Sequence, residues 1–354
     1  MKFGIVNITS FCNQKCIFCS EGDMHDNPKH IPIKKVYEIL DNLKKDGVEG
    51  VNFMGGECTM RSDLGEILDY CNLHFKFVSI VTNGVMFSSY KYAEKILGKV
   101  GIFELSWHTN IQDKFNYLSG SDTFELFQKG LINISKILED NSGLGIVINH
   151  VINKINYEDI LGNVKIFIEK FPLSNKENRF IALKRTNIIG YSKKNENILA
   201  VSPNLVMPFL KEAIKYCIEN KVHVQIEGFP PCYFNEFMKS EYFLINEIES
   251  EELYLLNKVD ISKVDDITKY NKQNNFNNIV YMRGNIELNK NILKKCKTCL
   301  IRKVCHKGIL LGEDSNILNN NILEYIGFNI TLDSVKYNII KRQELLKNII
   351  EGST

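Results

Sequence analysis

The sequence predicts an α/β fold, and three observations point to it. Strand-like apolar segments alternate with helix-like segments through the first half of the chain, a pattern typical of βαβ units with a parallel sheet. About six such units can be distinguished, too few to close the usual eight-stranded barrel. The chain of 354 residues has room for about two domains. We therefore expect a partial, TIM-like (β/α)6 barrel over residues 1–205 and a smaller C-terminal domain over residues 206–354.

The predicted strands are short apolar runs that end at turn residues or polar side chains. They cover residues 3–8, 51–54, 77–81, 102–107, 144–151 and 180–183. Between them, apolar residues recur at helical spacing, most clearly after Pro32 at Val36, Leu40 and Leu43. Further helices are expected near residues 64–68, 90–97, 122–138 and 157–171. The later half has a helix near 205–218, a strand at 223–227, and an aperiodic stretch at 233–278 that we interpret as a substrate-specific insertion.

Charge and composition exclude several classes of protein. Lys plus Arg number 44 and Asp plus Glu number 42, a balance that argues against a nucleic-acid surface over the whole molecule. No apolar run is long enough to span a bilayer, and the N-terminus does not have the pattern of a signal peptide. We therefore expect a cytoplasmic protein with no membrane or nucleic-acid partner. In that compartment the 10 cysteines are metal ligands, reactive thiols or buried small side chains rather than a disulfide framework.

Three cysteines follow the first predicted strand directly. Cys12, Cys16 and Cys19 have the spacing C-x3-C-x2-C. Each thiolate can ligate one iron of a [4Fe–4S] cube, which leaves the fourth iron open to a small molecule. The alternatives are a zinc knuckle that lacks its fourth ligand and a chance grouping.

Polar residues also stand at the ends of the next four predicted strands. They are Gly55-Gly56-Glu57, Thr82-Asn83-Gly84, Ser106 to His108, and Asn149-His150. Two glycines allow a ligand to approach the backbone, and a carboxylate beside them can bind an ammonium group. Each motif alone is also compatible with a simple turn. Together they fall at the carboxyl ends of parallel strands, where barrel and open-sheet sites lie.

Here the sequence resembles the radical S-adenosylmethionine (SAM) superfamily. The matching residues are the three cysteines with Phe18 before the last of them, and Gly55-Gly56-Glu57. The resemblance extends over roughly residues 1–200. It implies that SAM chelates the open iron, that a flavodoxin or ferredoxin reduces the cluster, and that SAM is cleaved to methionine and a 5'-deoxyadenosyl radical. That radical abstracts a hydrogen atom from the substrate.

The resemblance also implies which residues contact SAM. Phe18 packs near the adenine, Glu57 binds the methionine ammonium, and Ser106 contacts the ribose or the methionine carboxylate. Asn149 and Val151 lie where the fifth strand passes the adenine and ribose. The same site is expected to include four strand-end residues and one residue after the sixth strand, namely Gly55, Gly56, Thr82, Asn83 and Arg185. Arg185 either meets the SAM carboxylate or is a solvated surface arginine.

Cys58 departs from the family pattern, which often has proline after Gly-Gly-Glu. One interpretation is a small residue that the turn tolerates. The other is a catalytic thiol that donates a hydrogen atom or joins a thiyl intermediate. Cys71 and Cys217 lie among apolar residues in helical patterns, and we expect them to be buried structural thiols.

A second group of cysteines lies near the C-terminus. Cys296, Cys299 and Cys305 have the spacing C-x2-C-x5-C, and Cys232 lies upstream after two prolines. Four cysteines can complete a closed tetrahedral site, so zinc is one occupant that this spacing allows. The group also resembles the auxiliary cluster domains called SPASM and Twitch. With only four candidate ligands, the resemblance implies the shorter form with one auxiliary [4Fe–4S] cluster.

Three function classes remain open. The first is modification of a ribosomally made peptide or protein, and the second is oxidation or rearrangement of a small molecule such as a sugar, aminocyclitol or nucleotide. The third, a non-catalytic electron carrier, is disfavoured by the intact Gly-Gly-Glu. The first strand begins at Phe3, which leaves no room for an N-terminal leader-binding domain, although a separate partner chain can bind a leader. We expect an oxidoreductase, and we favour peptide modification over small-molecule chemistry.

Overall fold

The computed structural model describes residues 3–20, 28–171, 179–188, 190–229, 231–237 and 240–245. The predicted auxiliary ligands Cys296, Cys299 and Cys305 lie outside the described residues. Cys232 lies in the short 3-10 segment Pro231–Phe237, and its side chain is not among those described.

The described chain is built around one parallel sheet of eight strands, in the order β1 to β8 along the sequence. The strands are β1 (Phe3–Thr9), β2 (Gly50–Gly55), β3 (Phe77–Thr82), β4 (Ile102–Ser106), β5 (Gly145–Ile152), β6 (Arg179–Arg185), β7 (His223–Glu227) and β8 (Phe243–Ile245). Each strand pairs with the next, and β1 and β8 are the two ends of the sheet in the described residues. The predicted α/β fold with an open, barrel-like sheet is therefore confirmed, with two strands more than the six-unit pattern indicated.

Helices occupy the connections between the strands. They are α1 (Ile33–Lys45), α2 (Leu64–His74), α3 (Tyr90–Leu97), α4 (Gln112–Ser119), α5 (Phe124–Asp140), α6 (Ile160–Lys170), α7 (Tyr191–Lys194), α8 (Glu196–Leu199) and α9 (Pro203–Glu219). The helix α1 begins after Pro32, whose fixed φ suits a helix start. Short 3-10 helices follow β2 and β3 at Cys58–Met60 and Val85–Ser88. None of the helices in the described ranges is long and apolar enough to cross a membrane.

The two faces of the sheet differ in chemistry. Side chains that point outward, such as Phe53, Phe103 and Leu183, are fully buried against the helices and form the main apolar core. The alternate positions face the inside of the barrel, because successive strand residues point to opposite faces. The inward positions include polar residues, among them Asn52 on β2 and Glu104 on β4. The main apolar core therefore lies between sheet and helices, and the inside of the barrel includes polar side chains.

The predicted boundary between domains at residue 205 falls within α9. After α9, the strands β7 and β8 continue the same sheet, in parallel register with β6 and β7. The described part of the chain is therefore organised by this sheet as far as Ile245. The auxiliary domain over residues 206–354 stays a prediction.

Candidate active site at the carboxyl ends of the strands

The three cysteines of the first motif lie on the loop that leaves β1, and all three are partly exposed. The loop is fixed to the C-terminal end of α4. The N–H of Lys15 donates to the carbonyl of Ser119 at 2.8 Å, and the N–H of Ile17 donates to the carbonyl of Leu118 at 3.0 Å. Gly120 ends α4 with φ +58°, and a Cβ there would overlap the carbonyl of Lys15. The middle of the loop, at Lys15 and Ile17, is therefore held against the end of α4.

The segment around α7 holds the other side of the same loop. The N–H of Tyr191 donates to the carbonyl of Cys19 at 3.0 Å, and the side chain of Asn195 donates to the carbonyl of Ile17 at 3.1 Å. Gly190 has φ +60°, and its missing Cβ leaves room for the carbonyl of Ser20. Two elements distant in sequence, α4 and the segment around α7, thus orient the cysteine loop.

Gly55 and Gly56 bring the end of β2 against the start of the cysteine loop. The N–H of Gly56 donates to the carbonyl of Thr9 at 2.8 Å, and the N–H of Glu57 donates to the carbonyl of Phe11 at 2.7 Å. A Cβ at Gly55 or Gly56 would overlap those two carbonyl oxygens. In this structure the two glycines make room for the chain's own backbone. The sequence analysis suggested that they make room for a ligand.

Glu57 is the most enclosed acidic group of the site, with 1% of its surface exposed. Its Oε1 accepts hydrogen bonds from the N–H of Thr59 at 3.1 Å, the hydroxyl of Thr59 at 2.5 Å and the hydroxyl of Thr82 at 2.8 Å. Its Oε2 accepts the N–H of Asn83 at 2.7 Å. Burial raises the pKa of Glu57, and these donors oppose the rise. A carboxylate has about four acceptor positions, two on each oxygen, so Oε2 retains capacity for a further donor.

Asn83 connects this carboxylate with the cysteine loop. Its main-chain N–H binds Glu57, while its side-chain Nδ2 donates to Asn13 Oδ1 at 2.6 Å and to Cys12 Sγ at 3.9 Å. Its Oδ1 accepts the N–H of Val85, and Gly84 beside it adopts φ +75°. The Thr82-Asn83-Gly84 turn therefore links three of the predicted site elements by direct hydrogen bonds.

The donor set fits an iron–sulfur cluster. Burial, together with the charges of Glu57 and Cys19, raises the pKa of Cys12 to about 12. Burial and the two neighbouring thiols also raise the pKa of Cys16. Grouped thiols of this kind become thiolates when a cationic metal core is present to compensate their charge. Within the described ranges, no three Cys, His, Asp or Glu side chains converge on a single metal ion. In a [4Fe–4S] cube each thiolate binds a different iron, so three thiolates need not converge on one ion.

Phe18 and His108 form an aromatic pair beside the loop, with ring centroids 4.6 Å apart in an edge-to-face arrangement. The Nδ1 of His108 accepts the N–H of Val151 at 3.0 Å, so the neutral ring carries its proton on Nε2. Burial, with a contribution from His150, lowers the pKa of His108 to about 3. Phe18 and Val151, which the sequence predicted to contact SAM, therefore both contact His108. The sequence placed His108 at the end of the fourth strand without giving it a role.

Ser106 and Asn149 are paired neighbours on β4 and β5. Asn149 is nearly buried, and its Nδ2 donates to Glu104 Oε2 at 2.6 Å. Arg185 is the last residue of β6 and is partly buried.

Glu104 was not identified as a site residue from the sequence. The signal that could have identified it is a single charged residue in the middle of an apolar strand.

Cys58 lies in the core with 1% of its surface exposed, and its thiol donates to the carbonyl of Val81 at 3.3 Å. Burial raises its pKa well above the usual range, so the thiol is neutral. Cys71 and Cys217 are buried, as predicted. A participating role for Cys58 stays a prediction, and its surroundings resemble those of a structural thiol.

Comparison with known proteins finds the same superfamily that the sequence resembles. The family model described as the radical SAM superfamily matches residues 6–175. A probable GTP 3',8-cyclase from Saccharolobus islandicus is 29% identical over 164 residues, which are 46% of this chain and 51% of the relative. One from Methanococcus maripaludis is 25% identical over 177 residues, 48% of this chain and 59% of the relative. The chain thus spans about half the length of the curated relatives it matches.

Solved structures show the same fold. SuiB of Streptococcus suis, bound to the precursor peptide SuiA, superposes with a TM-score of 0.53 at 22% identity, over 74% of this chain and 55% of SuiB. HydG, a maturase of the [FeFe]-hydrogenase, superposes with a TM-score of 0.53 at 12% identity, over 99% of this chain and 80% of HydG. The family match covers the strands and loops that carry the cysteine motif, Gly55-Gly56-Glu57 and the Asn83 turn. Residues 6–175 of this chain are therefore similar to the radical SAM superfamily.

Proposed function

We propose that the chain is a radical SAM enzyme, an oxidoreductase that cleaves SAM reductively and abstracts a hydrogen atom from its substrate. The observation that carries the proposal is the path of hydrogen bonds from Cys12 through Asn83 to Glu57. This path joins the expected cluster loop to the expected ammonium site within the residues that are similar to that superfamily. When bound, the reduced [4Fe–4S] cluster supplies the electron that splits SAM into methionine and a 5'-deoxyadenosyl radical.

The residues of the site then have distinct tasks. Cys12, Cys16 and Cys19 hold three irons, which leaves one iron for SAM. Oε2 of Glu57 accepts the methionine ammonium at its remaining acceptor position. Phe18, fixed by His108, packs on the adenine.

Other residues position or line the SAM site. Gly55 and Gly56 let β2 meet the cluster loop, and Thr82 and Asn83 orient the carboxylate of Glu57. The remaining residues at the strand ends line the ribose and the methionine carboxylate, namely Ser106, Asn149, Val151 and Arg185. Such fixed groups act by orientation, since the reacting atoms must be held close together.

For the substrate, we propose a ribosomally made peptide or protein, with a separate chain available to bind a leader segment. The fold it shares with the peptide-bound SuiB is compatible with that class and does not select it. A nucleotide is the second candidate, because the curated relatives are described as probable GTP 3',8-cyclases.

We further propose one auxiliary [4Fe–4S] cluster in a SPASM/Twitch-like domain over residues 206–354. Its ligands would be Cys296, Cys299 and Cys305, with Cys232 as the fourth; a zinc ion is the alternative occupant. Reduction of the first cluster by a flavodoxin or ferredoxin, and a cytoplasmic location, complete the proposal.

The direct test is anaerobic incubation of the reconstituted full chain with SAM and dithionite, followed by measurement of 5'-deoxyadenosine. Wild-type protein should form it, Cys16→Ala should not, and Cys71→Ala, a core thiol on α2, should. Absence of 5'-deoxyadenosine from iron-replete wild type would reject the proposed function. Stimulation of its formation by GTP, with GTP consumed, would select the nucleotide over the peptide.

A further inference from the structure

The inside of the barrel carries polar groups that the fold itself does not need. In a closed barrel of this kind the interior is filled mainly by branched apolar side chains. Here inward-facing positions on five strands hold polar or charged residues, which we call the lumen cluster: Asn52, Glu104, Asn149, Lys184 and Glu227. The register supports their common face, since Lys184 pairs with Val151 on one side and Glu227 on the other.

Glu104 is the centre of the lumen cluster. The Nδ2 of Asn52 donates to its Oε1 at 3.3 Å, and the Nδ2 of Asn149 donates to its Oε2 at 2.6 Å. The ammonium of Lys184 lies 3.9 Å from Glu104 Oε2 and 3.6 Å from Glu227 Oε2. The carboxylate of Glu104 thus gathers groups from β2, β5 and β6.

These contacts determine which atoms the two amides present. A carboxylate can only accept, so each amide must turn its NH2 group to Glu104 and its oxygen away. Both oxygens, Asn52 Oδ1 and Asn149 Oδ1, are buried and have no hydrogen-bond partner in the described part of the chain. Asn149 as a whole is only 7% exposed. Buried acceptors without partners are unfavourable, and a ligand that brings N–H donors relieves the cost.

The charge of the lumen cluster restricts the kind of ligand that it can bind. Two carboxylates and one ammonium give a formal charge of −1 for the five side chains. A triphosphate or carboxylate would meet like charge and two buried amide oxygens that can only accept hydrogen bonds. A protonated amine brings donors only and carries the complementary sign.

We propose that the lumen cluster binds a protonated primary amine of the substrate, with Glu104 as its main acceptor. This assignment rests on the proposed function, because it places the substrate inside the barrel next to the SAM site. Asn149 lies between the two sites, so its oxygen can face the SAM ribose while Glu104 and Asn52 face the amine. It also makes Glu104 a specificity-determining residue, which favours an amine-bearing substrate such as a peptide over a nucleoside triphosphate.

The test uses n-butylammonium as a probe and 1-butanol as its neutral counterpart, with the anaerobic, cluster-loaded full chain. Ligand-observed saturation-transfer NMR is recorded with and without SAM. We expect saturation of n-butylammonium and not of 1-butanol, retained when SAM is present. Loss of the signal on addition of SAM would mean that SAM hydroxyls or amines fill these acceptors, which overturns the assignment to substrate.

Two variants of opposite charge make the test sharper. Glu104→Gln should weaken binding of n-butylammonium by about tenfold or more, because it loses a hydrogen bond to a charged group. Lys184→Met removes the competing cation and should strengthen binding. Glu212→Gln, the same charge change on the exposed face of α9, should leave binding as in the wild type.

A merely structural role would not shift the two variants in opposite directions. Equal binding of the two probes, or equal effects of Glu104→Gln and Lys184→Met, would overturn the proposal. The 5'-deoxyadenosine assay on wild type separates the two hypotheses. Cleavage of SAM without amine preference rejects the lumen assignment alone, and amine preference without cleavage rejects the proposed function alone.

Discussion

The main-chain N–H of Asn83 donates to Oε2 of Glu57 at 2.7 Å, so the turn after β3 orients the carboxylate that follows β2. The same residue reaches Cys12 with its side chain. A change in the Asn83 side chain therefore acts on the cluster loop, while the contact to Glu57 is made by the backbone and persists.

The first prediction uses the separation between the side-chain contact of Asn83 to Cys12 and its backbone contact to Glu57. Asn83→Asp keeps the acceptor for the N–H of Val85 and replaces the donor near Cys12 by a negative charge. We expect the reduction potential of the cluster to fall, because donors and positive charge near the thiolates stabilise the reduced, more negative cluster. Redox titration followed by EPR measures the shift. Asn72→Asp on exposed α2 is the matched control, and a potential equal to wild type in Asn83→Asp would show that the amide does not act on the cluster.

The second prediction concerns the contact between β2 and the cysteine loop. Gly56→Ala should reduce the iron retained after reconstitution, because the new Cβ overlaps the carbonyl of Phe11 and must displace the loop. Gly162→Ala in α6 meets nothing within 4 Å and should retain wild-type iron, with a gain in stability of about 0.5–1 kcal/mol. Equal iron content in the two variants would contradict the proposed packing.

The third prediction is a pH dependence of stability. His150 is 2% exposed; its Nδ1 donates to the carbonyl of Trp107, and burial lowers its pKa from 6.5 to about 4. Between about pH 4 and pH 6.5, His150 is protonated in the unfolded chain and neutral in the folded protein. The free energy of unfolding therefore rises with pH in this window, and the stabilising contribution of His150 is lost as the pH falls from 6.5 towards 4. The contribution is about 3 kcal/mol in total.

Denaturant unfolding of the wild type and His150→Gln between pH 7 and pH 4.5 measures it. The variant should lose less stability on acidification, whereas His74→Gln on α2 should follow the wild type. Parallel curves for wild type and His150→Gln would show that His150 titrates normally.

The fourth prediction concerns the second group of cysteines. The reconstituted full chain should hold about eight irons, as two four-iron clusters, and simultaneous replacement of Cys12, Cys16 and Cys19 by alanine should leave about four. Elemental analysis counts both metals. A content of four irons and one zinc in the wild type would show that the second group of cysteines holds a zinc ion and not an auxiliary cluster.

Local patterns predicted much of this fold. Seven of the eight described strands, the helix after Pro32 and the cysteine loop were recognisable because their signals lie within a few residues. The helix α4, with the sequence QDKFNYLS, was missed because eight mostly polar residues give too little periodicity. The strand β8 is only three residues long, and pairing with β7 defines it.

The contacts that assemble the site were not predictable in the same way. Gly56 lies against Phe11, and Gly190 against Ser20, across 45 and 170 residues of sequence, and no local pattern specifies such neighbours. Glu104 looked like one charge in an apolar strand, and its importance appears only when β2, β5 and β6 are placed around it.

The most direct test of the central claim is whether SAM binds to an open iron on the Cys12–Cys16–Cys19 loop. The EPR spectrum of the dithionite-reduced protein is recorded with and without SAM, in a variant lacking Cys296, Cys299 and Cys305 so that one cluster contributes. We expect a four-iron signal whose g-values change when SAM is added, and a smaller change or none with methionine alone. A reduced cluster whose spectrum is identical with and without SAM would contradict it.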